Sequence, residues 1–221
     1  MIRFLTAGES HGQGLVVLLE GMPAGLEISE AYIGIEMSRR QKGYGRGGRM
    51  QIEQDMAHIV SGVRHGRTLG SPIAMTIENK DWVNWTNIMS VEPVDETIER
   101  ITRLRPGHAD LPGTMKYGYS DVRNVLERAS ARETAARVAA GAIARRLLEE
   151  FGIQLHSHSL AIGGVWANNS GGINWEKVNK SPVSCADSSV EAAMMQAIDD
   201  AKEAGDTVGG VIEVVAEGLP I

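Results

Sequence analysis

"RRQKGYGRGGRMQ", residues 39–51, sets five cations (Arg39, Arg40, Lys42, Arg46, Arg49) among four glycines (Gly43, Gly45, Gly47, Gly48), with no acid between them. Within it, "GYGRGG" satisfies G-x-G-x-x-G, the fingerprint of a doubly wound dinucleotide-binding sheet. That chemistry needs a strand before the glycines and a helix after them, so that a pyrophosphate meets a helix N-terminus. Here the order is reversed. A helix is predicted from Ser29, as N-cap, to about Arg40, and the strand-like run "QIEQDMAHIVSG" follows. No Gly-Lys-Ser/Thr closes a phosphate loop of the Walker kind.

The other strand-like runs are "IRFLTAG", "GLVVLLEG", "SPIAMTIEN", "IQLHSHSLAIGGV" and "GGVIEVVAEG". Several alternate apolar and polar residues, as half-buried strands do. Few are joined through a helix in a βαβ rhythm, which predicts an α+β fold with antiparallel sheet. Apolar spacing predicts one long helix from about Asp121 to Phe151, stopped at Gly152, and a further helix from Ser188 to Ala204, stopped at Gly205. The stretches from Lys80 to Pro93 and from Leu104 to Gly118 are read as loops.

The chain has 221 residues, enough for one large domain or two small ones. Its formal net charge of −6 argues against a general nucleic-acid or membrane surface, so the basic clusters are local and point to a site. No apolar run reaches the roughly 18 residues of a membrane helix. The N-terminus does not read as a signal peptide. A single cysteine, Cys185, allows no internal disulfide and fits a reducing compartment, the cytoplasm.

"GESHG", residues 8–12, matches G-x-S-x-G, the nucleophile elbow of serine hydrolases. An elbow leads from strand into helix. Here a strand-like run follows, and little sheet precedes it. Ser10 and His11 instead place a hydroxyl and an imidazole in a glycine-flanked turn, where backbone can approach a ligand closely; a capped turn is the bland alternative. "RLRPGHAD" adds Arg103, Arg105 and His108 around a rigid bend. On the predicted long helix, Arg128 and Arg132 stand at i and i+4, a like-charge spacing that asks for nearby acids or a bound anion. Glu127 is read as serving Arg128, and Glu133 as pairing with Arg137. Arg, Ser and His from separate segments suggest a pocket for a polyanionic small molecule, since the guanidinium fork suits phosphate and carboxylate. RNA binding through the Arg/Gly stretch lacks stacking aromatics, Tyr44 being the one aromatic within it.

The blocks "GESHGQGLVVLLEGMP", "RRQKGYGRGGRM", "SGVRHG", "RPGHAD", "ERASARETAARVAAGA" and "GDTVGG" resemble, in order, those of the chorismate synthases. The resemblance implies a β-α-β sandwich of antiparallel sheets flanked by helices, assembled as a homotetramer. It implies a carbon–oxygen lyase that converts 5-enolpyruvylshikimate 3-phosphate to chorismate by anti-1,4-elimination. Reduced FMN is required without net redox change, with NADPH a candidate reductant. It implies substrate contacts at Ser10, Arg40, Arg46, Arg105 and Arg132. His11 matches a histidine that protonates the leaving phosphate, and His108 a second catalytic histidine over the flavin. Arg128, Ala129 and Ser130 match a flavin-binding block, with Arg46 near FMN. Arg40 and Arg46 are positions the family associates with NADP, read here as an anion site. No metal is implied.

Family chains continue past "EGLPI". The expectation is therefore one chorismate-synthase-like domain over 1–221, truncated on its C-terminal side. Such a chain would lack a catalytic aspartate and the segment that holds the FMN phosphate. An isolated chain of that kind is expected to bind FMN poorly, to form no measurable chorismate and to associate. The alternative function, an inactive anion-binding module, follows from the same truncation.

The glycine–arginine stretch generates one prediction. Arg46→Ala in the whole protein weakens binding of the phosphorylated substrate by about 1.5–3 kcal/mol, and Arg46→Lys restores it only in part, because a fork is needed rather than a point charge. Calorimetry on folded variants checks this; unchanged affinity in either variant means the loop is merely solvated.

Overall fold

The computed structural model describes residues 1–45, 55–95, 97–168 and 171–220. Arg46, Gly47, Gly48 and Arg49 lie outside them, as does the start of the run that begins at Gln51. The chain divides into two compact units, Met1–Ser38 with Glu53–Ala144, and Arg39–Ile52 with Arg145–Ile221.

The first unit is built on a four-stranded sheet. Its strands are β1 (Arg3–Ala7), β2 (Gly14–Glu20), β4 (Ala57–Ser61) and β7 (Ile73–Glu78), in the order β1-β2-β7-β4. All three pairings are antiparallel. The period of two shows directly in burial. Leu15, Val17 and Leu19 of β2 and Ile73, Met75 and Ile77 of β7 are buried, while Val16 and Leu18 face outward. A smaller antiparallel sheet, ordered β3-β6-β5, joins β3 (Ala24–Glu27), β5 (Val63–Arg64) and β6 (Arg67–Leu69). Helix α1 (Glu30–Gln41) begins as predicted, the Ser29 hydroxyl accepting from Tyr32 N at 3.1 Å. It buries Ile33 and Met37.

The predicted long helix is not continuous. It divides into α3 (Arg123–Leu126), a 3-10 turn (Ala131–Glu133) and α4 (Thr134–Glu149). The break is local chemistry. Ser130 is extended (φ −80°, ψ 150°), and its hydroxyl accepts from Arg132 N at 3.3 Å. A serine that caps from its own side chain offers the backbone an alternative to helical pairing. The apolar spacing hid this, because Val122, Ala129 and Ala136, seven residues apart, stay in phase across the gap. Consequently Arg128 and Arg132 do not share one helical face. Gly152 does stop α4, its N–H reaching Glu149 O at 2.9 Å with φ +75°. The buried face of α4 is Ala135, Ala136, Ala139, Ala140, Ala142 and Ile143, small side chains that permit close approach.

A second correction concerns 104–118, read as loop. It contains α2 (Asp110–Tyr117), closed by Gly118 in the left-handed conformation. Asp110, fully buried, opens α2 and clamps Arg105. Its Oδ2 accepts from Arg105 N and Nε, both at 2.9 Å, and its Oδ1 from Nη2 at 2.8 Å. Gly113 of α2 lies against Val125 of α3; a Cβ there would overlap the valine Cγ1.

The second unit carries the antiparallel sheet β10-β8-β9, formed by β8 (Gln154–Ile162), β9 (Val165–Trp166) and β10 (Gly210–Glu217). Helix α5 (Trp175–Lys180), unforeseen in the sequence, is capped by Asn174, whose Oδ1 accepts from Lys177 N. Helix α6 (Glu191–Glu203) matches its prediction within a few residues and buries Met194 against Val183 and Cys185. The glycine–arginine stretch starts in this unit. Tyr44 N donates to Pro182 O at 2.9 Å, and Tyr44 Oη donates to Asp199 of α6 at 2.6 Å. The hydrogen bond to Asp199 raises the tyrosine pKa, with burial and the carboxylate charge acting the same way. With every named strand pair antiparallel and helices in both units, the α+β class is confirmed. Among the described residues, no helix is long and apolar enough to cross a membrane.

Two tests follow from α2. The Arg105 hydrogen bonds outweigh burial and hold the Asp110 carboxyl down to about 2. A depressed carboxyl stabilises the fold above its unfolded pKa, near 4, and that contribution is lost as pH falls toward 2. Asp110→Asn should cost about 1–2 kcal/mol at pH 7, a value discounted for the exposure of Arg105, and should flatten the pH dependence of stability between about pH 4 and pH 2. Urea melts at several pH values check both. Gly113→Ala should destabilise by about 1–3 kcal/mol despite a helix-propensity gain of about 1 kcal/mol, and adding Val125→Ala should recover part of the loss. Additive effects in a double-mutant cycle would show that the contact is not the cause.

Candidate active site

The turn between β1 and β2, residues 8–13, is a hairpin connection and not an elbow. Gly8 sits at φ +107°, and a Cβ on it would strike Gly14 O, so the tight reversal needs glycine. The turn is tied to the C-terminal end of α3. Ser10 N donates to Glu127 O at 3.0 Å, and His11 N donates to Glu127 Oε2 at 2.8 Å. From the far side, Asn79 Nδ2 donates to Gly12 O at 2.9 Å.

His11 Nδ1 lies 2.9 and 3.0 Å from the two oxygens of Glu127. The imidazole stacks on Trp85, centroids 3.8 Å apart and planes at 26°. Its side chain is 20% exposed, against 1% for Glu127. Ser130 Oγ donates to Ser10 Oγ at 3.0 Å, so the two hydroxyls read from separate motifs meet. A partly enclosed imidazole beside paired hydroxyls can pass a proton to, or take one from, a bound oxygen.

The arginines are less available than their spacing suggested. Arg128 Nη2 donates to Thr6 O and Thr6 Oγ1, both at 2.8 Å, and its acid is Glu133 at 3.6 Å, not Glu127. Burial raises the Glu133 carboxyl, but the Thr6 hydroxyl, Arg137 and Arg128 together bring it below its ordinary value. The Glu133–Arg137 pair is present at 2.7 Å. Arg132 is enclosed, its Nη1 on Asp55 at 2.9 Å and its Nη2 on Glu78 O at 3.0 Å. Arg105 keeps an exposed edge beyond its clamp on Asp110; its pKa is raised by that bond and by the field of Glu127. His108 is exposed on the same loop, Nδ1 facing Pro106 O at 2.9 Å. Arg40 stands in the last turn of α1, within the second unit.

Two cavities adjoin these residues. One, of about 380 Å³, is walled by Ala109, Pro112, Tyr117, Tyr119, Arg128 and Ala129. Arg128 Nη1 is buried there without a hydrogen-bond partner. The other, of about 490 Å³, is polar and lined by Glu9, Ser90, Asp121, Arg123 and Glu127 among others. Among the described residues, no group of His, Cys, Asp and Glu is placed to hold a metal ion.

Ser10, His11, Arg128, Ala129 and Ser130 are thus brought together, with Arg132 two residues beyond. Sequence reasoning missed Trp85, Asn79 and Arg123, and misassigned Glu127. Trp85 carried a faint signal, a large aromatic in a polar loop. Glu127 opened a block already singled out but was paired with its sequence neighbour.

The sequence profile of the family described as chorismate synthase matches residues 2–221. A chorismate synthase of Geobacillus sp. (strain WCH70) is 56% identical, the match covering 99% of this chain and 58% of the relative. Chorismate synthase 1 of Bacillus anthracis is 54% identical over all of this chain and 59% of its own length. A solved structure described as a crystal structure of chorismate synthase superposes with a TM-score of 0.76 at 42% identity, covering 97% of this chain and 57% of that one. The chain therefore spans under three fifths of the length of these relatives, and it belongs to the chorismate synthase family.

Proposed function

We propose that the whole protein carrying this sequence is a carbon–oxygen lyase that eliminates phosphate from 5-enolpyruvylshikimate 3-phosphate to give chorismate. The observation that carries this reading is the His11 imidazole, held on a carboxylate and set beside the Ser10–Ser130 hydroxyl pair, in a chain of this family. In the reaction the C3–oxygen bond breaks and a hydrogen leaves C6. The departing phosphate needs a proton or a counter-charge as its negative charge grows. His11, protonated, donates to it. Ser10 and Ser130 orient the phosphate oxygens. Arg105 offers its exposed edge to a carboxylate; Arg40 and Arg46 are kept as substrate contacts on the sequence resemblance alone. Arg132, committed to Asp55 and the Glu78 carbonyl, holds the turn that presents Ser130 and contributes positive field nearby.

The described residues fit a reduced flavin. A planar ring with an anionic edge takes apolar and aromatic walls beside a cation, and the cavity at Tyr117, Tyr119, Ala129 and Arg128 has both. Reduced FMN supplies electron density to the allylic system when bound. His108, exposed on its bend, serves as the second proton-handling group. The same reading takes the whole protein as a cytoplasmic homotetramer.

An anaerobic assay of the whole protein with reduced FMN and the phosphorylated substrate should yield chorismate. His11→Ala should lower turnover by about 10² or more, as for loss of a general acid. A fall of under about threefold, with normal substrate binding, sinks the assignment of His11.

A further inference from the structure

Four side chains around the turn close a ring. His11 bonds Glu127; Arg123 Nη1 stands 3.7 Å from Glu127 Oε1; the Arg123 guanidinium lies 5.7 Å from the Trp85 ring; Trp85 stacks on His11. From this we infer that Glu127 is the positioning residue that fixes the tautomer and proton affinity of His11, with Arg123 as its counterweight and Trp85 as the wall that keeps the imidazole in plane. The inference rests on the reading of His11 as proton donor for its catalytic consequence, but its geometry can be tested without turnover.

An ionised carboxylate only accepts, so an imidazole nitrogen 2.9–3.0 Å from it carries the hydrogen. That assigns the hydrogen to Nδ1 and makes Nε2 the nitrogen that gains and loses the catalytic proton. Glu127 also accepts from His11 N, so the backbone and the ring of one residue are held by a single buried group. Rotation of the ring would break the Nδ1 contact and the Trp85 stack together.

Charge sets the second half. A buried carboxylate alone would hold a proton on His11 strongly, since an adjacent opposite charge favours the ionised form. Arg123, 16% exposed with a buried Nε, shares the same oxygen. The guanidinium and the imidazole thus face one and the same carboxylate oxygen. Among the described residues, the other charged groups are Arg105, whose field reaches Glu127, and Glu9, two residues before His11 in the turn and on the wall of the polar cavity with Glu127. Trp85 is itself fixed, its Nε1 donating to Asp81 Oδ2 at 2.8 Å.

The two charged partners must therefore act with opposite sign, which a merely structural role would not produce. Nitrogen-15 NMR of histidine in the intact chain, with His11 assigned by its loss in His11→Gln, should show the Nδ1–H tautomer at high pH. Glu127→Gln should lower the His11 pKa by about one unit or more, and Arg123→Gln should raise it by about half a unit. In the whole protein the kcat/KM limb that reports His11 should move with each. An Nε2–H tautomer in the unaltered chain overturns the inference, and needs no variant to fold. So does a His11 pKa that stays within about 0.3 units in a folded Glu127→Gln variant. If the NMR shifts appear and the kinetic limb stays still, Glu127 governs His11 as inferred, and the reading of His11 as the proton donor fails.

Discussion

The buried carboxylate of Glu127 is the interaction around which the first unit's candidate site residues are arranged. It accepts from the β1–β2 turn through His11 N, holds the imidazole through Nδ1, and faces Arg123. Its own backbone carbonyl receives Ser10 N. A charge removed from water must be paired and hydrogen-bonded to persist, and Glu127 is both. The requirement couples a hairpin turn to a helix end more than a hundred residues away. It also explains why a two-residue motif in a glycine-rich turn is rigid: glycine provides the reversal, and the distant carboxylate provides the order.

The strands were legible because one face of each long strand is buried, so period-two patterning survives in β2 and β7. The elbow reading of "GESHG" fails on element order, since that segment leads from strand to strand; the residues that follow Gly45 in "GYGRGG" lie outside the described ones. What could not be read were features set by single side chains bonding at long range. Ser130 interrupts a helix that apolar spacing carried through. Asp110 opens a helix inside an apparent loop, because its partner Arg105 lies upstream and outside any helical register. Helix α5 is short, and Trp175–Lys180 shows no repeating apolar pattern of its own.

The site was half visible. Ser10, His11 and Ser130 were chosen for their chemistry, and they meet. The arginines were chosen for charge, and here burial overrides pattern. Arg132 is consumed by Asp55 and a carbonyl, and the Nη2 arm of Arg128 by Thr6 and Glu133. An arginine count therefore overstates the charge offered to a ligand. Glu127 was misassigned because adjacency in sequence is a poor guide at a helix end, where consecutive side chains diverge.

The stack of His11 on Trp85 has a spectroscopic side. An indole in van der Waals contact with an imidazole is an intrinsic emitter whose brightness depends on the ring beside it, because a protonated imidazole quenches by accepting an electron from the excited indole. The second unit repeats the arrangement independently, His156 stacking on Trp175 with centroids 4.4 Å apart and planes at 10°. Each unit thus contains an indole whose emission depends on an adjacent imidazole, Trp175 also meeting His158 edge-on, and with Trp82 and Trp166 replaced, tryptophan emission followed against acidity would report on these two stacks without any added label.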